Sequence, residues 1–189
     1  MSMELWDLLD KDRRPLGQTH PRGRQYPMPH GTYHTVVTVY TVDDRGRLLL
    51  TRRAACKGMY PGWWEVTGGS GIAGEDSLTS ARRELREETG IDAAPEELHL
   101  LGSIREPSAF SDCYLMRRTL PADSLTLQEG ETDAACWVSF WRFETMIHEG
   151  LIPPPVALRY GAMLAALQAE VGRDAWLEPE PGSGREDNA

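Results

Sequence analysis

The chain reads as an α/β fold, on three grounds. Runs rich in Val, Thr, Tyr and Leu recur along it as candidate strands, one segment carries a helix pattern from cap to cap, and strands and helices alternate irregularly. With 189 residues, 40% of them hydrophobic, it is long enough to bury one core, and a single domain over residues 1–176 is expected.

The elements follow in order. Leu5 to Leu9 and Leu16 to Thr19, on either side of the turn-prone DKDRRP, predict an N-terminal hairpin within residues 1–20. Pro21 to Gly31 is too rich in Pro and Gly for a regular element and reads as a loop. The β-branched run His34 to Val42, the turn Asp43-Asp44-Arg45-Gly46 and the apolar Leu48-Leu49-Leu50 predict a second hairpin. Trp63 to Thr67 predicts a short strand that leads into the glycine-rich Gly68-Gly69-Ser70-Gly71. A helix should follow: Asp76 or Ser77 can cap it, Leu78, Ala81 and Leu85 recur at helical spacing, and Gly90 can end it in the left-handed conformation. Strands are then predicted at Leu98 to Ile104, Asp112 to Arg117 and Ala135 to Val138, and helices near Trp141 to His148 and Pro155 to Val171. The polar, Pro/Gly-rich tail over 177–189 is expected to be disordered.

Composition narrows the function. A formal charge of -9 argues against a nucleic acid or an anionic membrane as partner, and leaves a small anionic substrate open if a metal ion screens the meeting of charges. Cys56, Cys113 and Cys136 are odd in number and form no CxxC, which predicts buried thiols rather than a disulfide framework or a zinc ribbon. Charge precedes any apolar run at the start, and no stretch approaches the roughly 18 apolar residues of a membrane span, so a cytoplasmic setting is expected.

The predicted helix carries the chemistry. Glu84, Glu87 and Glu88 stand at i, i+3 and i+4, so three carboxylates project from one face within a turn and repel one another unless a cation sits among them. Hard oxygen donors of this kind suit Mg²⁺ or Mn²⁺. The bland reading is a solvated face whose acids pair with Arg82, Arg83 and Arg86. Gly69 to Gly74 also satisfies GxGxxG between a strand and a helix, but a dinucleotide-binding unit needs further strand-helix-strand repeats, and the strands that follow have no helices between them.

From Gly69 to Ile91 the pattern is Gly, five residues, Glu75, seven residues, Arg83-Glu84-Leu85, one residue, Glu87-Glu88, one residue, Gly90-Ile91. This resembles the Nudix box at every specified position. The resemblance implies an α/β/α sandwich with a mixed sheet, metal ligation by Glu84, Glu87 and Glu88, orientation of those acids by Arg83, and hydrolysis of a small-molecule diphosphate. It leaves open whether the general base is a box acid such as Glu87 or a further acid from a later loop, for which Glu129 and Glu131 are the candidates. Arg52 and Arg53, at the end of a predicted strand, and Gly69 form the expected substrate-binding set.

Two rivals share the scaffold. The N-terminal hairpin, Tyr33-His34, Leu50-Thr51-Arg52-Arg53, Lys57 and Pro61-Gly62-Trp63-Trp64 resemble isopentenyl-diphosphate isomerase, in which His20 and His34 would match metal histidines. That isomerase carries Cys-Gly-His before the box, where this chain has Gly68-Gly69-Ser70, so the acid-base chemistry of isomerisation lacks its thiol. The other rival is a nucleotide sensor without catalysis, which loss of a metal carboxylate would mark; every box acid is present. Tyr60, Trp63, Trp64 and Phe110 read either as core or as stacking surfaces for a substrate.

Overall fold

The computed structural model describes residues 4–23 and 27–177. Its elements are β1 (Leu5–Leu9), β2 (Pro15–Pro21), β3 (His34–Val42), β4 (Leu48–Arg53), β5 (Trp64–Glu65), β6 (Thr67–Ser70), α1 (Ser77–Thr89), β7 (Leu98–Arg105), β8 (Ala109–Arg117), β9 (Thr132–Val138), α2 (Phe140–His148) and α3 (Pro154–Val171). Beyond Leu177 the expected tail lies outside the described residues. Among them, no helix is long and apolar enough to cross a membrane.

β3 organises the mixed seven-stranded sheet: β6 lies antiparallel to it, β8 runs parallel to it from His34↔Ala109 to Val42↔Arg117, and β7 completes that edge antiparallel to β8. Because side chains alternate along a strand, its two faces are covered differently. Val37 and Val39 of β3 and Tyr114 and Met116 of β8 pack with Ala81 and Leu85 of α1. Tyr40 and Val42 of β3 and Cys113 and Leu115 of β8 meet Phe140, Phe143 and Met146 of α2 and Tyr160, Met163 and Leu167 of α3. The result is an α/β/α sandwich, as expected.

Three local expectations need correction. β3 and β4 share a tight turn but pair only at Val42↔Leu48; β4 then leaves to pair with β5 and β9, so the hairpin is splayed at its base. Splaying frees the flank of β3 for β6, so the one strand expected over Trp63 to Thr67 is divided into β5 and β6, and β6 runs on through Gly68, Gly69 and Ser70. Of the cysteines, Cys113 and Cys136 are buried, but Cys56 is exposed, with its Sγ 3.3 Å from the Gly130 carbonyl oxygen.

The hairpin β1–β2 is a separate two-stranded sheet fastened to the box region. The Ala73 N–H donates to the Leu5 carbonyl at 2.8 Å, and the Gly74 N–H to Asp7 Oδ2 at 2.7 Å. Arg13, in its turn, forms an ion pair with the buried Asp112 of β8, which keeps that carboxyl below its ordinary pKa in spite of burial. Trp6 lies flat on His34, with ring centroids 3.9 Å apart and an interplanar angle of 7°.

His34 is only 7% exposed, and burial pushes its pKa down to about 4 from 6.5, against a hydrogen bond to the Thr35 carbonyl and the charge of Glu106. The unfolded chain therefore takes up a proton between pH 6.5 and 4 that the folded chain refuses. Its stabilisation is complete above pH 6.5 and is lost as pH falls through that window, by roughly 3 kcal/mol. Urea unfolding at pH 7.5 and pH 4 should show the wild type losing about that much relative to His34→Phe, which keeps a flat ring on Trp6. Parallel pH profiles would contradict the buried neutral imidazole.

Candidate functional site

The box helix is fixed at both ends. Asp76 caps α1 by accepting from the Thr79 N–H at 2.7 Å, and Gly90, at φ 75°, closes it with its N–H donating to the Arg86 carbonyl. Ala81 and Leu85, both fully buried, hold the helix on the sheet, which turns the neighbouring acids toward the glycine strand β6.

Arg83 ties this junction together. Its Nε donates to Glu75 Oε1 at 2.9 Å, Nη1 to Glu84 Oε1 at 2.9 Å and Glu87 Oε2 at 3.0 Å, and Nη2 to the Ser70 carbonyl at 3.0 Å. Burial would favour the neutral guanidine, yet the bonds to Glu75 and Glu84 raise the pKa of Arg83 above its ordinary value. Glu75 also accepts from Ser80 and from the Ile72 N–H, and its pKa falls in spite of burial.

Glu84 reaches so far into the strand that a Cβ on Gly69 would lie 2.2 Å from its carboxylate. Gly68 is equally constrained, since a Cβ there would stand 2.7 Å from the Val37 carbonyl oxygen. The missing side chain of Gly69 is therefore the space that the Glu84 carboxylate occupies, and that of Gly68 is the room for the neighbouring strand.

Glu88 lies deepest. The Gly68 backbone N–H donates to its carboxyl group, while its Oε2 is buried without a hydrogen-bond partner. Burial first, then the charges of Glu65 and Glu84, push its pKa well above the ordinary carboxylate value. Burial also raises Glu84, against the pull of Arg83, and raises Glu65, against its ion pair with Arg53 at 2.5 Å. Among the described residues no three acidic, imidazole or thiol groups already converge as a cation cage, because Glu84 and Glu87 turn oxygens to Arg83.

Beside the glycine strand opens a cavity of about 550 Å³, lined by Trp6 and Arg22 from the hairpin side, Val36 and Thr38 of β3, Glu65 and Val66, Gly68 to Ser70, and Val156 and Arg159 of α3. Sequence reasoning anticipated Gly69 here. It missed Trp6, Arg22 and Arg159, which come from remote parts of the chain, and Glu65, whose one sequence mark is an acid within a short apolar strand.

The other expected residues fall in several places. Arg52 pairs with Asp133 at 2.7 Å on the surface and lies over the Trp64 ring; Arg53 turns to Glu65. Neither lines the cavity. Glu131 is held by Lys57, and its charge is felt at both Glu65 and Glu88, whereas Glu129 is exposed. His34 stands in the cavity wall, and His20 sits opposite Trp6 in the hairpin register. Tyr60 and Trp63 contact each other, and Phe110 is buried against Tyr33; among the described residues, Trp6 joins His34 in bringing a ring to the cavity. The antiparallel pairing of β6 with β3 excludes the βαβ unit that the GxGxxG spacing suggested.

Comparison with known proteins agrees with this geometry. The NUDIX domain family matches residues 32–154. A Nudix hydrolase of Listeria monocytogenes, itself uncharacterised, is 31% identical over 153 residues, covering 80% of this chain and 89% of its own. An isopentenyl-diphosphate Delta-isomerase of Cutibacterium acnes is 29% identical over 147 residues, covering 70% and 72%. Among solved structures, a Deinococcus radiodurans protein superposes with a TM-score of 0.64 at 22% identity, covering 79% of this chain and 91% of its own, a likeness of fold. With box, fold and relatives in agreement, the chain belongs to the Nudix hydrolase family and shares its isomerase-like branch.

Proposed function

We propose that this protein hydrolyses a diphosphate linkage in a nucleoside diphosphate derivative or a similar small molecule, with Mg²⁺ or Mn²⁺ as cofactor. The observation that carries the reading is the crowding of Glu84, Glu88 and Glu65 against β6, with one Glu88 oxygen buried and unpartnered behind Gly68, which lines the open cavity and bonds the Glu88 carboxyl. Evolved cores do not keep repelling, desolvated carboxylates without compensation, and a hard divalent cation is the compensation their oxygens fit.

Glu84, Glu87 and Glu88 would hold the cation. When bound, it neutralises diphosphate charge and lowers the pKa of the attacking water. Arg83 orients Glu84 and Glu87 through the hydrogen bonds their carboxylates accept from it. Glu87, whose side chain is 42% exposed, and Glu131, held at the cluster by Lys57, are the acids that can take the proton of the water. Gly69 leaves room for Glu84, and the body of the substrate enters the cavity behind it. Isomerisation finds less support, since none of the three cysteines lines the cavity.

Release of phosphate or monophosphate from a panel of nucleotide and prenyl diphosphates, with and without Mg²⁺, tests the reading. Metal-dependent turnover should appear for at least one compound, and Glu87→Gln should lower kcat by about 10²-fold or more. No turnover of any compound, with tight metal-independent binding of one, would leave a sensor instead. Glu88→Gln separates function from folding: in EDTA it should stabilise the fold, by about 1–3 kcal/mol, because a neutral amide replaces a repelled acid, while it abolishes Mg²⁺-dependent turnover. A melting temperature below that of the wild type in EDTA would contradict the electrostatic account of this residue.

A further inference from the structure

The box is rich in acids, and the chain as a whole carries -9, so an incoming diphosphate needs a cationic contact from the protein as well as a metal ion. The arginines of the expected substrate-binding set are committed elsewhere: Arg52 to Asp133 at the surface and Arg53 to Glu65. Arg83 is taken up by Glu75, Glu84, Glu87 and the Ser70 carbonyl. Arg159 lines the cavity, but it is locked on Glu106 by two hydrogen bonds, at 2.6 and 3.2 Å, in a pair whose side chains are 15% and 14% exposed.

Arg22 differs from all of these. It follows β2, lines the cavity together with Gly68, Gly69 and Ser70, and is partnered by Glu4 in an ion pair whose side chains are 49% and 44% exposed. Exposed pairs of this kind are weak and exchange partners readily, whereas a guanidinium binds phosphate oxygens through two parallel bonds. Arg22 lines the same cavity as His34, and its charge is felt at both Glu84 and His34. Its backbone N–H bonds to the Glu4 carbonyl at 2.9 Å, so the hairpin that grips the box loop also sets its position.

We propose that Arg22 is a substrate-binding residue that leaves Glu4 to grip the diphosphate of the incoming substrate, making the N-terminal hairpin part of the active site. The inference rests on the hydrolase reading only for the identity of the ligand. Two readouts test it in the full chain: binding of methylenediphosphonate with Mg²⁺ by calorimetry, and KM against kcat for whichever panel compound is turned over. Arg22→Ala should weaken binding and raise KM about tenfold or more with kcat little changed, and Arg22→Lys should recover part of the loss. Glu4→Ala should bind as tightly as the wild type or more tightly, because it removes the competitor. A purely structural ion pair would make Arg22→Ala and Glu4→Ala behave alike, and that result overturns the proposal. Unchanged binding and KM in Arg22→Ala overturns it too, as does failure of the wild type to bind the probe. Binding that depends on Arg22 without turnover of any compound would uphold this inference and sink the hydrolase reading.

Discussion

The hydrogen bonds of one guanidinium, that of Arg83, join the loop before α1, the acid face of α1 and the end of β6. The planar fork of arginine suits this junction, because several carboxylate and carbonyl acceptors have to be met at once in a partly buried place. A lysine would offer a point charge and leave acceptors unmet. The same junction explains why β6 is glycine where it faces the helix: the Glu84 carboxylate occupies the space of a Gly69 side chain. The arrangement leaves Glu88 uncompensated, with Glu65 and Glu84 close enough to raise its pKa. Stability alone would select against that residue, and a cation among the carboxylates gives the physical reason for keeping it.

Around the acidic cluster the cavity is held close to electrical neutrality. Glu106 balances Arg159, burial keeps His34 uncharged, and Arg53 faces Glu65. The remaining wall contributes Trp6, Val36, Val66 and Val156. Such a space suits the uncharged body of a substrate whose charge is concentrated at the diphosphate end. The hairpin β1–β2 matters because it supplies Trp6 to that wall while bonding the Ala73 and Gly74 N–H groups of the box loop.

What could be read in advance follows the range of the interactions. The box helix was legible because its cap, apolar spacing and terminal glycine are local: Asp76, Ala81, Leu85 and Gly90 act within one element. β3 was legible from its β-branched run, but its partners were not, since the turn to β4 says nothing of β6 and β8 claiming its two flanks. The acid face of the box helix could be named from spacing within a turn, whereas Trp6, Arg22 and Arg159 meet at the cavity only through tertiary packing. Arg52 and Arg53 show the converse limit: a strand end near a phosphate site is a reasonable place for arginine, yet Asp133 and Glu65 lie within reach of their side chains. The exposed Cys56 makes the same point, because residue type predicts average burial and not the depth of a particular loop.

The proposed hydrolysis requires that the carboxylates crowded against β6 form a divalent cation site. Titrating the protein with Mn²⁺ and following the electron paramagnetic resonance signal of the free ion tests it most directly. A site among these acids should suppress that signal at ratios below one ion per chain in the wild type, with much weaker suppression in Glu88→Gln. A free-ion signal of full intensity at every ratio would contradict it.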